Sequence, residues 1–451
     1  MGSDYTLREL QAYNERIEEI AAQMGLNCYP QEFEIITYED MLACEAYMGM
    51  PVRYRHWSFG KSYERKKTFY HYNLTGLPYE MVINSNPCLA YLMKDNTLPL
   101  QVLTMAHVYG HNDFFKNNRM FTAGTRAENC LEMFKAHARR IGDYIMDPSI
   151  GYQRVERILD AAHALRFQVY RTVGERHLTP DEQKQSLIQQ FEPGALEHPL
   201  LEPRIKREPP DLNRIPLEPE EDILLFIYRH GQLEEWERDV IGMIREESLY
   251  FLPQIETKIM NEGWASFWHY RILHELDLPQ EMQLEFLKRH NQVLSPHEGS
   301  INPYHLGFKV FEKLEREHGR GFLMQVRESE RDASFLRCYL DQELCRELNL
   351  FSYLKKGRDY FVSEVADEDG WKYIRDTLAG SSGIRSIPNI KVSEVRGRER
   401  TLLLEQEWDG RELLLDYAHQ TIKYIARLWG ARVRLRTMVR NTFQILETDG
   451  E

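Results

Sequence analysis

Residues 106–115 read Ala-His-Val-Tyr-Gly-His-Asn-Asp-Phe-Phe, and the two histidines in that run, His107 and His111, narrow what the chain can fold into. On a helix, residues four apart lie one above the other with about 6 Å between Cβ atoms, so both imidazoles can reach one ion. The stretch leading in, Leu100 to Met105, is largely apolar and helix-compatible, which buries the back of such a helix. A His-x-x-x-His pair is the skeleton of the metalloprotease helix, but Val108 stands where His-Glu-x-x-His carries its general base. The bland alternative is a pair of interior histidines that hydrogen-bond within a core.

Two further stretches bear on the choice. Glu156, Asp160 and His163 fall at i, i+4 and i+7, and Glu262 and His269 are also seven apart. Each set therefore shares a helix face. These are the ligand types that Zn²⁺, Fe or Mn accept, imidazole nitrogen and carboxylate oxygen. Flanked by Trp, Phe, Ile and Leu, these residues are costly as an ordinary core, because a buried charge needs a partner. One shared metal or polar centre would satisfy them together.

Three chemistries fit. The first is a mononuclear zincin-like site with zinc or another divalent metal on His107, His111 and Glu262, leaving a position open for water. Its missing base is then supplied by Asp113, Glu156 or Tyr109. The second is a dinuclear carboxylate–histidine centre in a helical bundle that adds Glu156, Asp160, His163 and His269, Asp160-x-x-His163 being a relative of the Glu-x-x-His motif. The third is acyl or amide transfer with Cys88 as nucleophile and a histidine as base; a buried cysteine is the commoner fate of such a residue. His56 and His305 read as caps or packing beside Trp57 and Tyr304, and the basic run near 53–67 as a solvated face or a contact for an acidic substrate.

Bulk properties exclude several classes. A net charge of -13 argues against general nucleic-acid binding and against adhesion to anionic membrane. No apolar run approaches the roughly 18 residues that a spanning helix needs, and Met1-Gly2-Ser3-Asp4-Tyr5 lacks a signal layout. The cysteines at 28, 44, 88, 130, 338 and 345 include no Cys-x-x-Cys, which fits reduced thiols. A cytoplasmic protein is expected.

Along the chain, amphipathic patterns predict helices over 5–25, 126–146, 152–172, 232–248, 250–276, 279–292 and from Asn302 to Glu317. A further helix is expected within 28–50 and another over Cys88 to Met93. Tyr79 to Asn84 reads as a strand, and Met50 to Lys61 as an ordered loop. Eight prolines between 180 and 219 mark an extended linker. After about 385 the pattern becomes strand-rich, with a helix from Leu413 to Leu428. The fold class is α+β, predominantly α-helical. A zincin-like or bundle-like main domain (1–176 and 222–384, interrupted by a linker at 177–221) precedes a small β-β-α-β domain at 385–451.

Several motifs carry a wider likeness. They are His56-Trp57-Ser58-Phe59-Gly60-Lys61, Tyr79 to Pro87, Ala106 to Asn118, Glu156 to Leu165, Pro253 to Ser266, and Asn302-Pro303-Tyr304-His305-Leu306-Gly307. Together with Leu428-Trp429-Gly430 they resemble the stage V sporulation protein R (SpoVR) family, a bacterial group named for a role in building the spore cortex. The resemblance implies a cytoplasmic protein of sporulation, acting in cortex peptidoglycan formation or a related stress response. It also implies a PrkA-type kinase and a von Willebrand-A-like protein as partners, and amide chemistry on a peptidoglycan precursor or stem peptide. It assigns no catalytic residue, so the ligand set rests on helical spacing. The non-enzymatic rival is a scaffold or regulator with a degenerate metal site.

Overall fold

The computed structural model describes residues 5–72, 80–191, 211–297, 300–356 and 359–450. The fold is α+β and predominantly helical, and its helices and sheets divide into two units, Met1–Asp143 with Leu249–Ser386, and Tyr144–Ser248 with Ile387–Glu451. This partition differs from the one drawn on the sequence. Residues 144–176 and 222–248 belong with the tail, not with the main helical domain. Among the described residues no helix is long and apolar enough to cross a membrane.

The first unit holds a three-stranded sheet of β1 (Gln31–Ile36), β2 (Glu80–Ile83) and β3 (Cys88–Met93) in the order β1-β3-β2. β1 runs parallel to β3 and β2 antiparallel to it. Every residue of β3 is buried, as suits a central strand covered on both faces. The expected helix over Cys88–Met93 is therefore wrong. A short apolar run between turn signals reads equally as strand or helix, and pairing decides. The helix expected within 28–50 is confined to Tyr38–Ala46, where Thr37 caps it by accepting from Asp40 N–H at 3.2 Å. Residues 57–61 are no loop. They open the helix Trp57–His71, whose first turn is capped by His56 Nδ1 accepting from Ser58 N–H at 3.3 Å.

The helix Leu98–Asn117, here the histidine helix, starts with Pro99 in its first turn, where a missing N–H costs nothing. It is buried all round from Leu100 to Phe115. The helix Lys258–Glu275, here the glutamate helix, packs along it and against a third, Pro303–His318. Asp332 anchors the start of the glutamate helix, accepting from Ile259 and Met260 N–H at 2.9 Å each. Trp264, Phe267, Trp268 and Phe311 fill the core around these helices. The crossings are tight because glycines sit in them. A methyl added at Gly110 would lie 2.6 Å from Ala265 Cα, and one at Gly307 would meet the Ile259 carbonyl and the Gly263 backbone. The unit also contains the hairpin of β4 (Phe351–Lys356) and β5 (Asp359–Val365).

The second unit carries a four-stranded sheet of β6 (Ile390–Arg396), β7 (Thr401–Gln406), β8 (Val433–Val439) and β9 (Thr442–Thr448), in that order. The parallel pair β7 and β8 needs a crossover, supplied by the helix Leu415–Trp429, which stops at Gly430 with φ +77°. The expected β-β-α-β unit is thus β-β-α-β-β. β9 escaped notice because it buries only Leu446, so its sequence shows no alternation of inner and outer residues. Of the proline-rich stretch, residues 192–210 lie outside the described ones. On either side Pro180–Phe191 is a helix, and Glu220 exchanges backbone hydrogen bonds with Val392 of β6. Neither of these flanking parts is a free linker.

Replacing Gly307 by alanine is expected to lower stability by about 1–3 kcal/mol, the usual cost of an overpacked core. Gly321→Ala, where an added methyl meets nothing within 4 Å, should stabilise by roughly 0.5–1 kcal/mol through helix propensity. Urea unfolding midpoints of the two variants should therefore move in opposite directions.

Candidate metal centre

Four side chains from three elements converge on one cleft in the first unit. His107 and His111 come from one face of the histidine helix, Glu262 from the glutamate helix and Glu80 from the first position of β2. Glu262 Oε2 lies 3.9 Å from His107 Nε2 and 3.6 Å from His111 Nε2, and Glu80 Oε1 lies 3.9 Å from His107 Nε2. Ligand atoms of Glu80, His107 and His111 all fall within 4.8 Å of one another. These separations are too long for hydrogen bonds. They are close to the roughly 3.4 Å that separates atoms on a tetrahedron with bonds of about 2.1 Å. His107 Nε2 is buried and has no hydrogen-bond partner among the described residues.

The surroundings fix which nitrogens face inward. His111 Nδ1 is 2.9 Å from Asn261 Oδ1. An amide oxygen only accepts, so Nδ1 carries the proton and the Nε2 lone pair faces the carboxylates. On the other side, His107 Nδ1 meets His269 Nδ1 at 2.9 Å. Phe115 stacks on His111 with ring centroids 6.0 Å apart, and Tyr304 on His107 at 6.1 Å. Burial, joined by the neighbouring His107, pushes the His111 pKa down to about 4, so its ring is neutral near pH 7. Burial raises the Glu80 carboxyl, and the nearby Glu262 adds to this while His107 opposes it. Burial also raises Glu262, but the two imidazoles outweigh it and hold that carboxyl below its usual range. Imidazole nitrogens beside carboxylate oxygens form a donor set suited to Zn²⁺, Fe or Mn. The cleft of about 330 Å³ beside them is lined by Val82, Phe115, Gln254, Lys258 and Tyr304 as well.

Of the residues singled out from the sequence, His107, His111 and Glu262 meet here. The others are placed elsewhere. His269 stands behind His107 with both ring nitrogens engaged by other histidines, which leaves it none to offer a metal. Tyr109 points to the opposite face, its hydroxyl donating to Asn14 Oδ1 at 3.0 Å. Burial lifts the Asp113 carboxyl to about 6, against Arg327, as a poised base would require. Its oxygens, however, are taken by Arg327 Nη1 at 3.0 Å, Trp264 Nε1 at 2.9 Å and Asn27 N–H at 2.7 Å. Cys88 opens β3 fully buried, and burial pushes its thiol far above the range of a nucleophile. Glu156, Asp160 and His163 belong to the second unit, on the helix Tyr152–Leu165, where Glu156 accepts from Tyr152 Oη. Their helix buries Val155, Leu159, Ala162 and Leu165 and keeps the polar stripe at the edge of that apolar face. Sequence reasoning missed Glu80 and Asn261. Glu80 was legible only as the start of a short strand, and nothing in the sequence sets that strand beside the histidine helix.

These features define a class: a two-unit α+β protein whose main unit encloses a His-x-x-x-His pair between two glutamates. The chain matches the family model described as SpoVR like protein over residues 4–387, and that described as SpoVR-like C-terminal domain over residues 388–440. It belongs to the SpoVR family. It is 34% identical to the uncharacterized protein YcgB of Escherichia coli (strain K12), over 96% of this chain and 92% of that protein. No solved structure matches the chain.

Asp113→Ala is expected to destabilise the fold by about 3–5 kcal/mol, because it leaves the buried Arg327 guanidinium with only the exposed Glu328 carboxylate, 3.4 Å away, to answer its charge. A catalytic base removed from the same position would leave the urea midpoint nearly unchanged, so the unfolding curve separates the two roles.

Proposed function

We propose that this cleft is the catalytic centre of a metal-dependent hydrolase of amide bonds. His107, His111 and Glu262 would hold a divalent cation, zinc being the natural candidate, and Glu80 would carry the proton. The observation that supports this most is the buried lone position of His107 Nε2, facing a second imidazole and two carboxylates at spacings that suit coordination. A cation held by three protein ligands polarises an amide carbonyl and makes water a better nucleophile at neutral pH. The chain's own residues do the rest. Glu80, from β2, stands in for the glutamate that Val108 replaces; its carboxyl, raised by burial, suits it to take a proton from water and return it to the leaving amine. Lys258, one helical turn before Glu262 and exposed, gives the cleft a cation for a carboxylated peptide. Spore-cortex stem peptides have that chemistry, and the sporulation family suits such a substrate. On this reading a PrkA-type kinase and a von Willebrand-A-like protein are its partners in the cell.

Metal analysis of the purified protein is the test. One equivalent of metal is expected, lost in His107→Ala and in Glu262→Gln. Glu80→Gln should keep the metal and the fold while hydrolysis of a stem tetrapeptide, followed by mass spectrometry, falls at least about 100-fold. A protein without stoichiometric metal, indifferent to chelator, overturns the proposal. A metal that is needed for folding, with no turnover in the unaltered protein, makes the site structural.

A further inference from the structure

Behind His107 the core contains a line of imidazoles that the hydrolytic reading leaves unused. His107 Nδ1 lies 2.9 Å from His269 Nδ1, and His269 Nε2 lies 2.8 Å from His290 Nδ1. All three rings are buried. His269 comes from the glutamate helix, and His290 from the helix Gln280–Val293. Tyr270, Phe308 and Phe286 pack against His290, with ring centroids 4.7, 5.4 and 6.0 Å away, so the surroundings are largely aromatic. Three buried polar rings in such a place carry a high cost unless their bonds are complete.

Each nitrogen–nitrogen bond in the line contains one proton, and a neutral imidazole has one N–H. The two bonds are therefore not independent. If His107 Nδ1 donates to His269 Nδ1, then His269 must donate from Nε2 to His290 Nδ1, and His290 carries its own proton on Nε2. If the line runs the other way, His290 Nδ1 donates to His269 Nε2, His269 Nδ1 donates to His107 Nδ1, and the proton of His107 sits on Nε2. Only the first arrangement presents a lone pair to Glu80, Glu262 and His111. His111 has its direction imposed by an amide oxygen, whereas His107 has a partner that works either way.

We propose that His107, His269 and His290 form a proton relay that sets the ligating state of His107, with His269 and His290 as positioning residues. This rests on the metal-centre reading above. Holding a cation would require His107 Nε2 to give up its proton to water. The two bridging protons would then shift inward, from His290 Nδ1 to His269 Nε2 and from His269 Nδ1 to His107 Nδ1, and His290 Nε2 would take up one proton from water. Three protons are present on the rings before and after, one released and one taken up, so the line gains no charge and water is the only co-reactant.

The experiment measures zinc affinity by competition with a chromophoric chelator, on the full chain and on variants shown to be folded. His269→Ala should weaken zinc binding by about 10–100-fold, as loss of an orienting partner typically does. His269→Asn, which places an acceptor oxygen where Nδ1 stands, should recover most of that loss. In ¹⁵N-histidine NMR spectra of the zinc-loaded unaltered protein, His107 should be protonated at Nδ1, His269 and His290 at Nε2. Zinc binding by the unaltered protein with undiminished affinity in His269→Ala overturns the relay and leaves the metal centre standing. So does equal weakening in the alanine and asparagine variants, or His290 protonated at Nδ1 in the zinc-loaded spectra. An unaltered protein that binds no zinc overturns the relay together with the metal centre.

Discussion

Everything in the first unit depends on how closely two helices approach. The histidine helix and the glutamate helix touch at Gly110 and Ala265, and the glutamate helix meets the Pro303–His318 helix at Gly263 and Gly307. With no side chain between the backbones, Glu262 arrives level with His107 and His111, and Tyr304 closes over His107. A larger residue at the crossing would push the glutamate helix outward. Interiors are packed at crystal-like density and cannot absorb such a shift without moving neighbours. The site's geometry is a by-product of glycine placement.

Polar groups then lock that arrangement. Asp113 joins the histidine helix to Trp264 of the glutamate helix and to Arg327 of the helix Arg320–Ser329, while Asp332 caps the glutamate helix from outside. Both carboxylates are buried, and burial pushes each up, Asp332 to about 7. Such groups stabilise little over an apolar core, but they penalise misaligned packing severely, because a displaced partner leaves a buried charge exposed to nothing. Asp113, which appeared in the sequence as a candidate base, is spent on alignment.

Much of this was legible in the sequence, and the gaps have physical causes. The His107–His111 spacing and the seven-residue interval to His269 identified helix faces correctly, and Glu262 follows from them. Periodicity, however, tells which residues share a face and not what that face meets. The 156–163 stripe has the same periodic form and lies along the apolar face of a helix in the other unit. Glu80 was hidden because a four-residue strand has no preferred neighbour until it pairs. Cys88–Met93 was misread because six apolar residues fit strand and helix alike. The SpoVR likeness, carried by long motifs, extends over nearly the whole chain in the family match.

One consequence concerns where the chain can be cut. The family models meet between residues 387 and 388, close to where the first unit ends at Ser386. A peptide spanning 388–440 would nonetheless be an incomplete body. It lacks β9, whose Leu446 covers one edge of the sheet, and it lacks the helix Tyr152–Leu165, against which the helix Leu415–Trp429 packs. Ile422, Ile425 and Leu428, buried in the full chain, would lose part of their cover. The family boundary and the packing therefore follow different seams in this molecule, and the tail's helix takes apolar cover from a helix that ends at Leu165, far upstream in the chain.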